Sequence, residues 1–288
     1  MVCLVKNYLK KYLTIKIAVL FPFGDLGSGL IMIKQDKLYE TNYNNQGCLM
    51  KVIECKDNVN VIVEFQDKYK AKVHTQYFNF KKGLVKNPYY PSVYGIGIIG
   101  TKYPVSINCR KIKEYNIWQS MLQRCFSTSY KEKRIAYQDT TCCEEWLNYE
   151  NFFEWLHNQS NFDKWYEGNR WAVDKDILIK GNKIYSPDTC CLIPQNVNCL
   201  FLKREAERGK YPIGVRHREE GFIAVCRNPF LDRAVELGCY STPEAAFQAY
   251  KVYKENIIKQ VAEVEYSKNN ITKECYQAMM NYEVEITD

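Results

Sequence analysis

Asp174 and Asp176 stand two residues apart in Trp171-Ala-Val-Asp-Lys-Asp-Ile-Leu178, with Asn182 shortly after and Asn196 and Asn198 beyond. Carboxylate and amide oxygens are hard donors that suit Mg²⁺. A carboxylate can also take a proton from water once its pKa is raised. Groups of this kind hold divalent ions and activate water. The chain has three His, His74, His157 and His217, and none lies in this stretch. His74 reads as an ordinary strand residue, and His157 as a cation at a helix end, where it suits the dipole. The bland alternative for the two Asp is a pair of alternate strand positions on one solvated face.

A second set is cationic. Arg216, Arg218, Arg227 and Arg233, with Lys210 just ahead, fall within a short span. Arg is suited to bidentate contact with guanine or phosphate, and a two- or three-stranded ribbon fits a major groove. The elements that would carry these residues are readable. Tyr211 to Arg216 and Gly221 to Arg227 read as strands, Asn228-Pro229 as a turn, and Arg233 to Tyr240 as a third strand. Ser241-Thr-Pro-Glu244 then opens a helix with a hydroxyl cap and Pro in the first turn. Ala246, Ala249, Tyr250, Tyr253, Ile257 and Val261 give that helix one apolar face.

Gly214-Val-Arg-His-Arg218, Phe222-Ile-Ala-Val-Cys-Arg-Asn-Pro229, Leu237-Gly-Cys-Tyr240 and Thr242-Pro-Glu-Ala-Ala-Phe-Gln-Ala-Tyr250 resemble the ethylene-response-factor (APETALA-type) DNA-binding domain. The resemblance covers about fifty residues in one register. It implies that Arg216, Arg218 and Arg227 face double-stranded DNA. The chain departs from that family where its first-turn Trp falls near Glu219 or Glu220, where its third-strand Trp falls at Glu236, and where Phe222 replaces a further Trp.

The acidic stretch sits in a second pattern. Strand-like pieces flank Gly181-Asn182, a hairpin signal, and Gln195 to Lys203 follow as a helix. With Tyr115-x-x-Trp118-x-x-Met121-x-x-Arg-Cys125 and Cys143-x-x-Trp146, this is similar to the His-Asn-His (HNH) endonuclease-like proteins of phages and mobile elements, which commonly append an APETALA-type domain. That resemblance implies a ββα-metal framework and a cytoplasmic protein of bacterial or phage origin. Where the family carries His on the first strand, this chain has Asp174 and Asp176, so the resemblance implies metal-assisted phosphodiester hydrolysis with Asp174, Asp176 and Asn182 as catalytic residues and Asp176 and Asn198 as ligands for Mg²⁺. Three readings stay open: a carboxylate–metal nuclease, a decayed nuclease fold that only binds DNA, and a structural ribbon.

Charge is uneven. Residues 1–134 hold 22 Lys+Arg against 9 Asp+Glu, a net of +13, whereas 135–202 hold 5 against 10, a net of −5, and 203–288 hold 13 against 14. A basic front half suits phosphate contact. The odd count of 13 Cys argues for free thiols in a reducing compartment. Cys142-Cys143 and Cys190-Cys191 lack C-x₂₋₄-C spacing, so zinc is not expected. No phosphate loop, nucleophile elbow, small-molecule cofactor motif or membrane span is evident.

Residues 1–31 have four Lys before an apolar run, superficially like a signal peptide, and are expected to be a dispensable lead. From 32 to 105, strand-like pieces around 48–54, 59–65 and 70–74 predict a small β-sheet or barrel and connector. The fold class is thus α+β in several modules: this β domain, a ββα-like module with helices at 106–205, a three-stranded antiparallel sheet backed by a helix at 206–266, and a tail at 267–288. Tyr115, Trp118, Met121, Leu122 and Cys125, and Trp146, Tyr149, Phe152, Phe153 and Leu156, are expected core faces of two helices.

Overall fold

A computed structural model describes residues 37–168, 170–202 and 210–288. The lead segment 1–31 lies outside the described residues. The chain divides into two compact units between Pro104 and Val105.

In the first unit, β-branched residues alternate and so bury one face. β1 (Thr41–Tyr43), β2 (Leu49–Cys55), β3 (Val61–Phe65) and β4 (Lys72–Thr75) form an antiparallel meander in sequence order. Val61, Val63 and Phe65 point into a core with Met50, Val52 and Phe80. The turns follow from Asp chemistry: Asp57 Oδ1 accepts from the backbone N–H of Val59 and of Asn60, each at 2.7 Å. Asp67 does the same for Tyr69 and Lys70. Among the described residues the sheet is open, because β1 and β4 do not pair with each other, so the barrel alternative is corrected. The aromatic–basic run after β4 is a helix, α1 (Tyr77–Lys81), which ends before Gly83 at φ 66°.

The second unit begins with a small hairpin of β5 (Ser106–Ile107) and β6 (Arg110–Lys111). α2 (Lys113–Phe126), α3 (Thr128–Lys133), α4 (Tyr149–His157) and α5 (Phe162–Glu167) follow. All ten aromatic, aliphatic and thiol positions expected at the two core faces are buried. Trp118 Nε1 donates to the Trp146 carbonyl at 2.8 Å, and Tyr115 meets Tyr149 edge-on. His157 does end α4, but its ring is packed between Phe153 and Phe162, with Nε2 3.3 Å from buried Glu114.

β7 (Thr141–Cys142), β8 (Trp171–Asp174), β9 (Ile184–Tyr185) and β10 (Cys191–Pro194) correct the expected hairpin. β8 pairs antiparallel with β10, placing Asp174 opposite Cys191. β9 runs parallel to β7 instead. Gly181-Asn182 therefore turns a loop within 175–190, not the ribbon itself. α6 (Gln195–Asn198) follows β10 directly, so a ribbon-then-helix order is present with a different second strand.

β11 (Val215–Arg218), β12 (Gly221–Asn228) and β13 (Arg233–Tyr240) form an antiparallel sheet in that order, backed by α7 (Pro243–Ser267). Thr242 Oγ1 caps α7 by accepting from Ala245 N at 3.2 Å. Ala246, Tyr250, Ile257 and Val261 pack under Val215, Ala224 and Cys226. Gly214 lets the sheet close onto the helix: at φ 77°, a Cβ there would meet the Tyr250 ring at 2.0 Å. α8 (Lys273–Met280) folds the tail back, with Cys275 and Met279 in the same core. That core also holds Ile177, Cys191, Ile193 and Val197, so it runs unbroken across the expected boundary near residue 205. No helix of the described residues is long and apolar enough to cross a membrane.

Candidate nucleic-acid interface and acidic loop

Strand register decides where the arginines point. Residues directly opposite in an antiparallel pair share a face, and faces alternate along each strand. Val215 and Ala224 are partners and lie against α7, so Arg216, opposite Ile223, faces away. By the same alternation Arg218, Arg227 and Glu236 lie on that outer face, Glu236 opposite Val225 and Arg227 opposite Ala234. Arg216, Arg218, Arg227 and Arg233 are all exposed, as is Lys210, whose ammonium lies 5.3 Å from the Tyr211 ring centroid. Ile223 is nevertheless buried.

Two of the arginines have carboxylate partners. Arg218 makes two contacts to Glu236, one at 3.2 Å, and Arg227 Nη2 lies 2.5 Å from Asp232 Oδ1. Among the described residues no ion pair involves Arg216 or Arg233. Both pairs are solvent-exposed, with Arg227 67% and Asp232 89% exposed. Exposed pairs contribute about 0–1 kcal/mol, so exchanging a carboxylate for a phosphate costs little. Glu236, at a position where the resembled family carries Trp, instead lowers the charge of the face. His217 is exposed and its ring lies beside those of Tyr211 and Phe222, at 6.0 and 5.1 Å between centroids.

The acidic stretch is arranged differently from the expected pair on one strand face. β8 ends at Asp174, and Asp176 lies beyond it in a turn. Asp174, 9% exposed, accepts at Oδ1 from the backbone N–H of Asp176 (2.9 Å) and of Ile177 (2.8 Å). Burial, reinforced by the neighbouring Asp176 charge, pushes its carboxyl up to about 6. Lys175, between them, is buried. Its ammonium donates to Asp176 Oδ2 and to the Asn182 carbonyl, both at 3.1 Å, below the Tyr185 ring.

Asn182 is occupied by the loop. Its Nδ2 donates to the carbonyls of Lys175 (2.6 Å) and Ile184 (2.7 Å), and its Oδ1 accepts from Ile184 N. That satisfies the amide and gives the side chain a structural role. Asn196 donates to Glu265 on α7, and Asn198 ends α6 half-buried. Mg²⁺ is commonly held by one or two carboxylates, with phosphate and water completing the shell. Here the Lys175 ammonium already stands against Asp176, where such an ion would bind. Among the described residues no group of three or more His, Cys, Asp or Glu is placed to hold a metal. The donor set as built does not fit a cation beside Lys175.

Arg124 stands in the pattern before Cys125, but that pattern gives it no role. Its Nη1 donates to the Tyr185 hydroxyl at 2.7 Å, linking α2 to the loop that carries Lys175. Burial raises Cys142 and Cys143 above the ordinary thiol value and pushes Cys190 up to about 12. Cys191 turns the other way, 3.9 Å from Cys275 on α8. No family model, curated protein or solved structure matches this chain.

Proposed function

We propose that this protein binds double-stranded DNA through the outer face of the β11–β12–β13 sheet and does not cleave it. The observation that carries the proposal is the register that puts Arg216, Arg218 and Arg227 on one exposed face opposite α7. A three-stranded ribbon of this width enters a major groove, with arginine forks reaching guanine edges and phosphates. The resemblance to the APETALA-type domain supports the same face. The β8–β10 ribbon and α6 share a core with the sheet, so the nuclease-like module acts as a scaffold that fixes the sheet's position.

Binding of a labelled duplex, followed by anisotropy as salt rises from about 50 to about 200 mM, tests this. Affinity should fall steeply over that range. A salt-independent or absent signal would reject the proposal.

One observation favours a second reading, in which the module hydrolyses DNA. Asp174 is buried, which pushes its carboxyl up to about 6, close enough to neutrality for a carboxylate to act as a base. Against this, Asp174 Oδ1 is already held by two backbone N–H groups. Plasmid incubation with Mg²⁺ or Mn²⁺ separates the two readings. Nicking by the wild type that disappears in Asp174→Asn and Asp176→Ala would establish the nuclease, and no cutting would leave the binding protein.

A further inference from the structure

The turn between β12 and β13 reads Pro229-Phe-Leu-Asp232. Phe230 is 50% and Leu231 54% exposed. Isolated exposed apolar residues are ordinary, but this pair is consecutive and rigidly held. Asn228 Oδ1 accepts from the backbone N–H of Phe230 (2.9 Å) and of Leu231 (3.2 Å). The buried Asn228 amide also donates to the Tyr253 hydroxyl on α7 at 2.8 Å, anchoring the turn to the helix. Asp232, at φ 51°, closes the turn in the left-handed region. A turn needing only solubility would carry small polar residues. This one holds two large apolar side chains in water, flanked by the exposed Arg227 and Arg233.

Arg227 and Arg233 outnumber Asp232, the exposed partner of Arg227, so the flanking charge favours an anionic occupant over an apolar protein surface. Arg227 belongs both to this tip and to the outer face, so the two are one continuous surface. In a major groove the apolar feature that a base pair offers is the thymine C5-methyl. We infer that Phe230 and Leu231 are specificity residues that contact thymine methyl groups, with Arg227 on the adjoining phosphate. This rests on the proposed DNA binding and adds a base preference to it.

The test starts from duplexes enriched by the wild-type protein from a random pool, resynthesised with uracil in place of thymine. That exchange removes the methyl and leaves base pairing intact. Wild-type affinity should drop about fourfold for each contacted methyl. A Phe230→Ser, Leu231→Ser double variant, altered only at exposed positions, should bind both duplexes equally, at the wild type's uracil affinity. The same loss in wild type and variant, or no loss in either, would overturn the inference while leaving DNA binding standing. So would a rise in 2-aminopurine fluorescence on wild-type binding, which would show the tip unstacking bases instead. A wild type that enriches no duplex would overturn the underlying DNA reading itself.

Discussion

Arg218 reaches over β12 to Glu236 on β13, and the two side chains meet on the outer face, each about half exposed. Glu236 thereby holds a guanidinium that the DNA reading assigns to phosphate or base.

Glu236→Gln should therefore strengthen duplex binding, by about three- to tenfold at low salt, because it removes one repelling charge and frees one attracting charge. Thermal stability should change by less than about 1 kcal/mol, as for other exposed pairs. Titration of a labelled duplex with both proteins measures the first, and a melt the second. Unchanged affinity would place this pair outside the interface.

Asp174 predicts a pH dependence of stability. Its ordinary value is 3.8 and its folded value about 6, so the folded protein holds the proton more tightly than the unfolded chain. The associated stabilisation is full below about 4 and is lost as pH rises through about 6. The change is on the order of 2–3 kcal/mol for two pKa units. Asp174→Asn keeps an acceptor for both backbone N–H groups without the buried charge. It should melt higher than the wild type near pH 8, with the difference fading in acid. Denaturant melts at both pH values check this, and a wild type equally stable at both would contradict it.

Asn182→Ala should loosen the loop 175–190. Three hydrogen bonds to backbone are lost, and about 1–3 kcal/mol of stability with them. Amide exchange should accelerate in that loop, while duplex affinity stays within about twofold of wild type, since the sheet is untouched. A protein of unaltered stability that had lost a cleavage activity would instead make Asn182 catalytic.

Gly214→Ala should be severe. The added methyl would overlap the Tyr250 ring, and the backbone at φ 77° disfavours any side chain. Buried strain of both kinds predicts a loss above about 3 kcal/mol by denaturant melt. A near-neutral result would mean that α7 does not pack against the β11 turn as described.

The local signals in the sequence were read well where they act locally. Arg233 to Tyr240 is a strand because alternation and the Asn228 turn are both short-range, and Thr242-Pro-Glu244 marks the start of α7 for the same reason. Gly181-Asn182 misled because a turn signal fixes a bend and not its partner. The strand after it finds Thr141 and Cys142, some forty residues upstream, and β8 finds β10 across the loop. Asp174-Lys-Asp176 reads as a candidate catalytic pair with a solvated alternation as the alternative, yet Lys175 is buried, and only the tertiary fold brings Tyr185 and the Asn182 carbonyl to it. Arg124 reads as one more charge on a helix until Tyr185 arrives from a strand sixty residues later. The arginine face was legible because a period of two is intrinsic to a strand, whereas its ion pairs needed coordinates.

The most direct test compares wild type with Arg216→Ala on an enriched duplex at fixed salt, by anisotropy. Arg216 is exposed and makes no ion pair among the described residues, so its removal leaves no orphaned partner there. The proposal predicts a loss of about 1–3 kcal/mol in specific binding with an unchanged melt. Equal affinities for the two proteins, or a wild type that binds no duplex at all, would contradict it.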